Sequence, residues 1–301
     1  MKPVDFTLHR PDTVSDAVAI LAAHPEDSKV LAGGQSLVPL LNFRLARPEH
    51  LVDLGRIASL AQLRRNPMHV VVGAMVRQGH AERSTAVAQD VPLLAAALPH
   101  VAHPPIRSRG TVGGSLAHGD PAAELPAVAR ALDATFVAVG RGGRRTIAAG
   151  DFFRAHLMTD LASDEVLVEV LFERVPPNTG AAFEEVGRRR GDFALVGAGA
   201  QVTVVDDIIT EARIALTGVS ATPHRATEAE QVLVGRRLSD RLLNEAADAT
   251  RAAIRPSGDL HATAEYRRDI AGVLLTRAVT TAHRRAVHPA ATAVPSTRST
   301  T

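Results

Sequence analysis

The 301-residue chain is 46% hydrophobic and 22% charged, which is typical of a folded globular protein with room for two or three domains. It has no cysteine, so disulfides, cysteine nucleophiles and thiolate-bound zinc or iron–sulfur clusters are excluded on this chain. Its isoelectric point is 9.6, yet its net charge is only +2 and its arginines are not gathered in one patch, which argues against nucleic-acid binding.

The sequence carries no targeting or membrane signal that we recognise. Residues 1–6 lack the apolar core of a signal peptide, and no segment approaches the ~20 consecutive apolar residues of a membrane span. We therefore expect a cytoplasmic protein without a membrane span.

In chain order, the hydrophobic pattern predicts alternating strands and helices up to about residue 175 and strands followed by helices after it. Thr13 or Ser15 is placed to cap the first helix. Paired prolines followed by Asn and Gly at residues 176–180 predict a domain boundary. The predicted elements are strands at 4–9, 29–31, 51–54, 69–74, 134–139, 166–172, 194–205 and 208–216, helices at 16–21, 91–98, 122–132, 240–253 and 264–283, a helix or packed loop at 37–43, an arginine-rich turn at 140–143 that joins the strands 134–139 and 166–172, and a mobile tail from residue 287.

Two glycine-containing segments stand out from this pattern. Residues 32–37 read Ala-Gly-Gly-Gln-Ser-Leu, and residues 109–116 read Arg-Gly-Thr-Val-Gly-Gly-Ser-Leu. Adjacent glycines adopt positive φ without strain and direct successive N–H groups toward an anion, so each segment is a candidate phosphate-binding nest. Either pair alone is equally consistent with a tight turn. With hydroxyl side chains beside both pairs (Ser36, Thr111, Ser115), the two together predict one long diphosphate-bearing ligand held across two loops.

The usual nucleotide-binding signatures are missing. The chain has no Gly-Lys-Ser or Gly-Lys-Thr, which excludes a P-loop. Gly197-Ala198-Gly199 begins like a dinucleotide fingerprint, but Val202 stands where the third glycine belongs and the segment is predicted as a strand. His100 and His103 are followed by two prolines, which argues against a helix that presents both to a metal.

Four segments resemble a known family of flavoproteins. Residues 30–41 and 106–126 are similar to segments of the FAD-binding medium subunits of molybdenum hydroxylases, which include aerobic carbon monoxide dehydrogenase and whose flavin domain is equivalent to that of xanthine dehydrogenase. The likeness continues through residues 191–197 (Gly-Asp-Phe-Ala-Leu-Val-Gly) and 265–268 (Glu-Tyr-Arg-Arg). It implies an α+β protein in which a two-lobed, PCMH-type FAD-binding domain precedes a smaller α+β C-terminal flavoprotein domain.

The resemblance also implies domain limits and cofactor contacts. The FAD-binding domain is expected at residues 1–175, with lobes of about 1–55 and 56–175, the C-terminal domain at 176–286 and a flexible tail at 287–301. Residues 32–37 are implied to cradle the diphosphate, and the second glycine segment to form the opposite wall. Asp120 and Glu124 are implied to accept hydrogen bonds from hydroxyls or from the adenosine side, and Leu167 to lie by the isoalloxazine. The full set of implied FAD contacts is Ala32, Gly33, Gly34, Gln35, Ser36, Leu37, Val101, Thr111, Gly113, Gly114, Ser115, Asp120, Glu124, Leu167 and Phe193.

Two positions depart from other members of the family. Phe193 stands where some place a tyrosine against the isoalloxazine, and phenylalanine stacks on a ring but cannot donate a hydrogen bond. Glu184 and Glu185 stand where some carry a lysine after the aromatic residue at position 183. No positive charge near the flavin is therefore expected from that position.

The function implied by the resemblance is electron transfer, with neither a catalytic residue nor a metal site on this chain. In the family, electrons pass from two [2Fe–2S] clusters of a small partner subunit through FAD to an external acceptor. A large partner subunit carries molybdopterin cytosine dinucleotide and hydroxylates the substrate, and we expect a dimer of heterotrimers. Two alternatives stay open. One is a self-sufficient FAD-dependent oxidase or MurB-like reductase, with His103 and His118 as the nearby histidines, and the other is a non-catalytic binding protein with degenerate loops.

Overall fold

Three larger sheets and a short hairpin organise residues 2–288, the part of the chain that the computed structural model describes. The strands are β1 (Thr7–His9), β2 (Ser28–Leu31), β3 (His50–Asp53), β4 (Leu63–Arg65), β5 (His69–Gly73), β6 (Thr135–Gly140), β7 (Gly143–Ala148), β8 (Phe153–Ala155), β9 (Met158–Thr159), β10 (Val166–Glu173), β11 (Thr179–Val186), β12 (Val196–Val205), β13 (Ile208–Thr217) and β14 (His224–Arg225). The α-helices are α1 (Val14–Ala23), α2 (Leu37–Asn42), α3 (Gln78–Glu82), α4 (Thr85–Asp90), α5 (Pro92–Ala97), α6 (Pro104–Arg109), α7 (Val112–His118), α8 (Glu124–Ala131), α9 (Ala149–Phe152), α10 (Thr227–Leu233), α11 (Asp240–Ala253) and α12 (Ala264–Val287). Short 3-10 turns lie at Leu54–Arg56, Ala58–Ala61 and Leu98–His100. The predicted α+β class is confirmed.

The first sheet is parallel, in the order β1-β3-β2. Parallel strands need a crossover connection, and α1 supplies it between β1 and β2. Thr13, not Ser15, caps this helix, because its Oγ1 accepts a hydrogen bond from the amide of Asp16 at 3.1 Å. The first glycine segment follows directly from the carboxyl end of β2, and its residues 32–36 form the loop between β2 and α2.

The second sheet is antiparallel, in the order β4-β5-β10-β6-β7. Strands β6 and β10 are neighbours, but the prediction that the turn at residues 140–143 joins them is wrong. The turn joins β6 to β7, an exposed edge strand that begins with Arg144 and Arg145 after its first glycine. Charged edge strands are common because they prevent edge-to-edge association, and such a strand has no alternating hydrophobic pattern to reveal it.

The third sheet, β11-β12-β13-β14, is covered on both faces. One face packs against α12 and the other against α5 and α8 of the preceding region, so β12 is buried along nearly all of its length. Strand alternation places Phe183 on the face toward α5, where its ring lies against Gly197 and Gly199 of β12. By the same alternation, Glu185 shares that face and Glu184 points to the opposite one.

Residues 174–178 connect the second sheet to the third. Helix α12 continues to Val287, four residues beyond the predicted end.

From residue 289 onward the predicted tail lies outside the described residues. In the described range, no helix is both long and apolar enough to cross a bilayer.

Candidate cofactor-binding site

The loop after β2 presents a set of free backbone amides. Within residues 2–288, the amides of Gly33, Gly34, Gln35 and Ser36 donate no hydrogen bond. Gly34 has φ of +74°, and the Gln35 side chain closes the loop through Nε2 to the carbonyl of Gly33 at 3.0 Å. The loop is partly exposed and sits at the carboxyl end of a parallel strand, where α/β sheets bind ligands. Unbonded amides and a positive φ are the features that an anion-binding nest requires.

The second glycine segment is built differently from the prediction. Gly113 and Gly114 lie in the first turn of α7, and both amides are occupied. The Gly113 amide donates to the carbonyl of Ala74 at 3.0 Å, and the Gly114 amide donates to Oγ1 of the N-cap residue Thr111 at 2.9 Å. The prediction that this pair offers free amides to a phosphate is thus wrong, because the helix cap and the neighbouring strand already use them.

The glycines of the second segment instead allow close packing. A Cβ on Gly113 would lie 2.5 Å from Cα of Ala74, so the helix rests directly on the end of β5. A Cβ on Gly114 would lie 3.2 Å from Cβ of Ala32. The N-terminal turn of α7 is therefore held beside the first glycine segment.

The two segments meet, as the prediction of one shared ligand requires. A Cβ on Gly33 would lie 2.5 Å from the carbonyl oxygen of Arg109 and 2.8 Å from Cα of Gly110. The carbonyl of Gly110 accepts from the amide of Gln78 at 2.9 Å, and that of Arg109 accepts from the guanidinium of Arg77. Backbone therefore packs on backbone, and α3 fixes the second segment from behind.

Arg107, a residue to which the sequence analysis gave no role, stabilises the turn at residues 101–102 that precedes this segment. It is buried and forms a two-pronged ion pair with Glu82, at 2.8 Å and 3.0 Å. Its Nη1 also donates to the carbonyls of Val101 and Ala102, at 3.0 Å and 3.2 Å. Ala102 has φ of +43°, which is uncommon for a residue with a Cβ, so the guanidinium stabilises an otherwise unfavourable turn.

The two predicted carboxylates have different surroundings. Asp120 follows the left-handed residue Gly119 and accepts a hydrogen bond from the amide of Ala122 at 2.8 Å, so it shapes the turn that leads to α8. Glu124 is the first residue of α8 and is only 5% exposed. Burial raises its pKa to about 7, with a further upward contribution from Glu185 and an opposing one from its own backbone amide and from His100.

The remaining predicted contacts are dispersed around the same region. Val101 is buried beside the Arg107 ion pair, and Leu167 is buried at a bulge of β10. Phe193 is 62% exposed in the loop between β11 and β12, so most of this residue is accessible and its ring can stack on a ligand. In the same loop, Gly191 has φ of +87° and lies against the imidazole of His103, where a side chain does not fit.

A histidine–carboxylate pair at the domain boundary was also missed by the sequence analysis. His100 Nδ1 lies 3.2 Å from Oε1 of Glu185, and this hydrogen bond raises the pKa of the imidazole against the lowering effect of burial. The other oxygen of Glu185 is buried and has no hydrogen-bond partner within the described residues. The pair joins residues 85 positions apart (185 − 100), so no sequence motif could have revealed it.

The Glu-Tyr-Arg-Arg segment has a structural explanation. Arg267 is buried, pairs with Asp259 at 2.7 Å, and donates to the carbonyls of Leu195 and Gly218. These carbonyls lie at the end of the Phe193 loop and after β13. Arg267 therefore anchors the loop that carries Phe193.

A sizeable cavity lies elsewhere. It has a volume of about 860 Å³ and is lined by α1, the 3-10 turn at Ala58–Ala61 and the second sheet, including Val18, Leu60 and Val139, with no residue of either glycine segment. We place the candidate site at the glycine segments because free amides, and not enclosed volume, are what a diphosphate requires.

Comparisons with known proteins agree on one family. Residues 4–176 match the family model of the FAD binding domain in molybdopterin dehydrogenase, and residues 181–282 match that of the CO dehydrogenase flavoprotein C-terminal domain. The 6-hydroxypseudooxynicotine dehydrogenase complex subunit alpha of Paenarthrobacter nicotinovorans is 40% identical, over 95% of this chain and 97% of that protein. The carbon monoxide dehydrogenase medium chain of Hydrogenophaga pseudoflava is 39% identical, over 94% of this chain and 98% of that protein.

A solved structure shows the same fold. The carbon monoxide dehydrogenase from Hydrogenophaga pseudoflava that lacks the Mo-pyranopterin moiety of its cofactor contains a chain with a TM-score of 0.93 and 40% identity. The match covers 95% of this chain and 99% of the solved one. One two-domain architecture therefore accounts for 95% of the chain.

Proposed function

The chain belongs to the FAD-binding family of molybdopterin dehydrogenase subunits, and from this membership we propose that it is the electron-transfer subunit of a heteromeric molybdenum hydroxylase. It is a medium-type FAD subunit and an oxidoreductase. The proposal adds the direction of electron transfer: FAD receives electrons from [2Fe–2S] clusters on a small partner and passes them to an external acceptor. The absence of cysteine from the chain is consistent with clusters on a partner.

The residues at the candidate site fit FAD. The four free amides of Gly33, Gly34, Gln35 and Ser36 supply donors for a diphosphate, and the exposed ring of Phe193 supplies a stacking surface. The N-terminal turn of α7 lies beside the loop and forms the neighbouring wall of the site, with its own first amides already bonded. We propose that these groups, with the other contacts implied by position, hold the cofactor. FAD supplies the redox chemistry, and the protein binds and orients it.

The proposal extends to organisation and partners. We propose an FAD-binding domain at residues 1–175, a C-terminal domain at 176–286, a large molybdopterin-binding partner, a dimer of heterotrimers and a cytoplasmic location. Relatives are named for substrates as different as carbon monoxide, caffeine and 6-hydroxypseudooxynicotine. We therefore assign substrate choice to the large partner.

FAD retention and reduction test this function. We expect the purified full chain, loaded with FAD, to hold one FAD per chain and to release it on denaturation. Anaerobic mixing with the reduced iron–sulfur subunit of its complex is expected to bleach the flavin absorbance. A chain that binds no FAD contradicts the proposal, and flavin that stays covalently attached after denaturation favours a self-sufficient oxidase.

A further inference from the structure

The C-terminal domain bonds to two loops that carry proposed cofactor contacts. One is the turn at residues 120–123, which contains Asp120 and leads to Glu124 at the start of α8. The other is the loop between β11 and β12, which contains Phe193. Neither loop belongs to a glycine segment, and neither is part of a helix or strand. Contacts with other parts of the chain must therefore set their positions.

Thr217, the last residue of β13, holds the first of these loops. Its side chain is buried, and its hydroxyl reaches the carbonyls of Pro121 and Ala123, the latter at 3.1 Å. The amide of the next residue, Gly218, donates to the same carbonyl of Pro121 at 2.9 Å. Two consecutive residues at the end of β13 thus bond to the backbone of the turn itself.

Arg267, on α12, holds the second loop. One nitrogen of its buried guanidinium, Nη1, donates to the carbonyl of Leu195, two residues after Phe193, and to that of Gly218 at 3.1 Å. The other terminal nitrogen, Nη2, pairs with Asp259 at 2.7 Å, which compensates the buried charge. Because a guanidinium directs its N–H groups in fixed directions, one side chain bonds to both backbone segments, which a lysine does not reproduce.

Gly218 connects the two sets of hydrogen bonds. Its amide donates to the first loop, and its carbonyl accepts from Arg267. Its φ is +77°, and a Cβ at this position would overlap the carbonyl oxygen of Leu195. The two loops are therefore held together at the end of β13. We call Thr217, Gly218 and Arg267 the interdomain brace.

Resting on the proposed function, we propose that Thr217 and Arg267 are positioning residues for the bound cofactor. The interdomain brace sets one separation between the turn that carries Asp120 and the loop that carries Phe193, so that a single FAD contacts both. Most of Phe193 is exposed, so few side-chain contacts hold it, and the brace fixes its backbone two residues away. A loop that is ordered in advance loses less conformational freedom when its ligand binds.

A double-mutant cycle tests the proposal for Arg267. We would titrate the cofactor-free full chain with FAD, followed by flavin fluorescence, for wild type, Arg267→Lys, Phe193→Ala and the double variant. We expect Arg267→Lys to weaken FAD binding by about two- to tenfold, the cost of ordering the loop on binding. The loss is expected to be much smaller in the Phe193→Ala background, because both substitutions act on the same contact. A general loss of stability would lower the affinity equally in both backgrounds.

Thr217→Val gives an independent test at the other loop. Valine keeps the shape of threonine and removes the hydroxyl that reaches the turn. We expect FAD binding to weaken by about two- to tenfold. The loss is expected to be smaller in an Asp120→Asn background, in which the side-chain oxygen still accepts from the amide of Ala122 but the carboxylate is gone. This cycle also decides the proposal if Arg267→Lys fails to fold.

Matched controls use the same substitutions elsewhere on the same elements. Arg277→Lys changes an exposed arginine of α12, and Thr210→Val changes an exposed threonine of β13. Both are expected to bind FAD as tightly as wild type.

The outcomes distinguish this inference from the proposed function. A wild-type chain that binds no FAD contradicts both. A wild-type chain that binds FAD, with Arg267→Lys and Thr217→Val at wild-type affinity, contradicts the inference alone. Losses that simply add to those of Phe193→Ala or Asp120→Asn contradict it for the residue in that cycle.

Discussion

Gly33→Ala is expected to weaken FAD binding by about ten- to a hundredfold. The new methyl group would sit 2.5 Å from the carbonyl oxygen of Arg109 and 2.8 Å from Cα of Gly110. Both are backbone atoms of a segment that Arg77 and Gln78 hold in place, so the loop with the free amides must move instead. Overpacking of this kind costs about 1–3 kcal/mol, and each 1.4 kcal/mol is worth about tenfold in affinity.

Titration of the cofactor-free chain with FAD, followed by flavin fluorescence, measures this change. Gly142→Ala is the matched control, because a Cβ on Gly142 meets nothing within 4 Å and its φ is not positive. We expect wild-type affinity for the control and a normal circular dichroism spectrum for both variants. Wild-type affinity for Gly33→Ala would show that the two segments do not form the binding site.

Arg107→Met is expected to lower the free energy of unfolding by about 1–3 kcal/mol, because the backbone carbonyls that the buried guanidinium satisfies lose their hydrogen-bond donor. The Arg107 side chain is 9% exposed and that of Glu82 is 25% exposed. The carbonyls of Val101 and Ala102 lose their donor in the same step. The loss falls on the turn that positions Val101, so FAD affinity is expected to drop as well.

Urea unfolding of the cofactor-free chain, followed by circular dichroism, measures the stability change. Arg109→Met, an exposed arginine on the same helix, serves as the control and is expected to stay within about 0.5 kcal/mol of wild type. The double variant Glu82→Leu with Arg107→Met is expected to regain part of the loss, since no charge is then left unpaired. A single variant as stable as wild type would mean that the ion pair does not hold this segment.

The sequence predicts the parts of the site that depend on local chemistry. The loop after β2 is recognisable because a buried strand leads into two glycines, and the backbone there has the free amides and positive φ that such a pair permits. The start of the first helix is equally local, since Thr13, a residue in the β-region with a hydroxyl side chain, caps the N-terminus of α1.

The second glycine segment shows why a local pattern is not enough. Glycine is a poor helix former, so Gly113 and Gly114 suggested a turn, yet they lie in the first turn of α7. Packing decides their conformation: Gly113 must fit against Ala74, which is 39 residues earlier (113 − 74) and invisible to any short window. Glycine was correctly identified as necessary, but for close approach and not for free amides.

The long-range ion pairs could not be predicted from the sequence either. Arg107 finds Glu82 through the packing of α6 on α3, and His100 finds Glu185 only because the third sheet covers the first domain. Each of these residues alone is an ordinary ionisable residue in a chain with 34 Lys and Arg, 32 Asp and Glu, and 13 His. Tertiary structure, and not residue type, selects the pairs that matter.

An experimental structure of the FAD-loaded chain tests the central claim most directly. Our account predicts one FAD, with its diphosphate oxygens at hydrogen-bond distance, about 3 Å, from the amides of Gly33, Gly34, Gln35 and Ser36 and with the N-terminal turn of α7 beside them. A diphosphate bound away from residues 33–36, or a cofactor that touches only one of the two glycine segments, would contradict it.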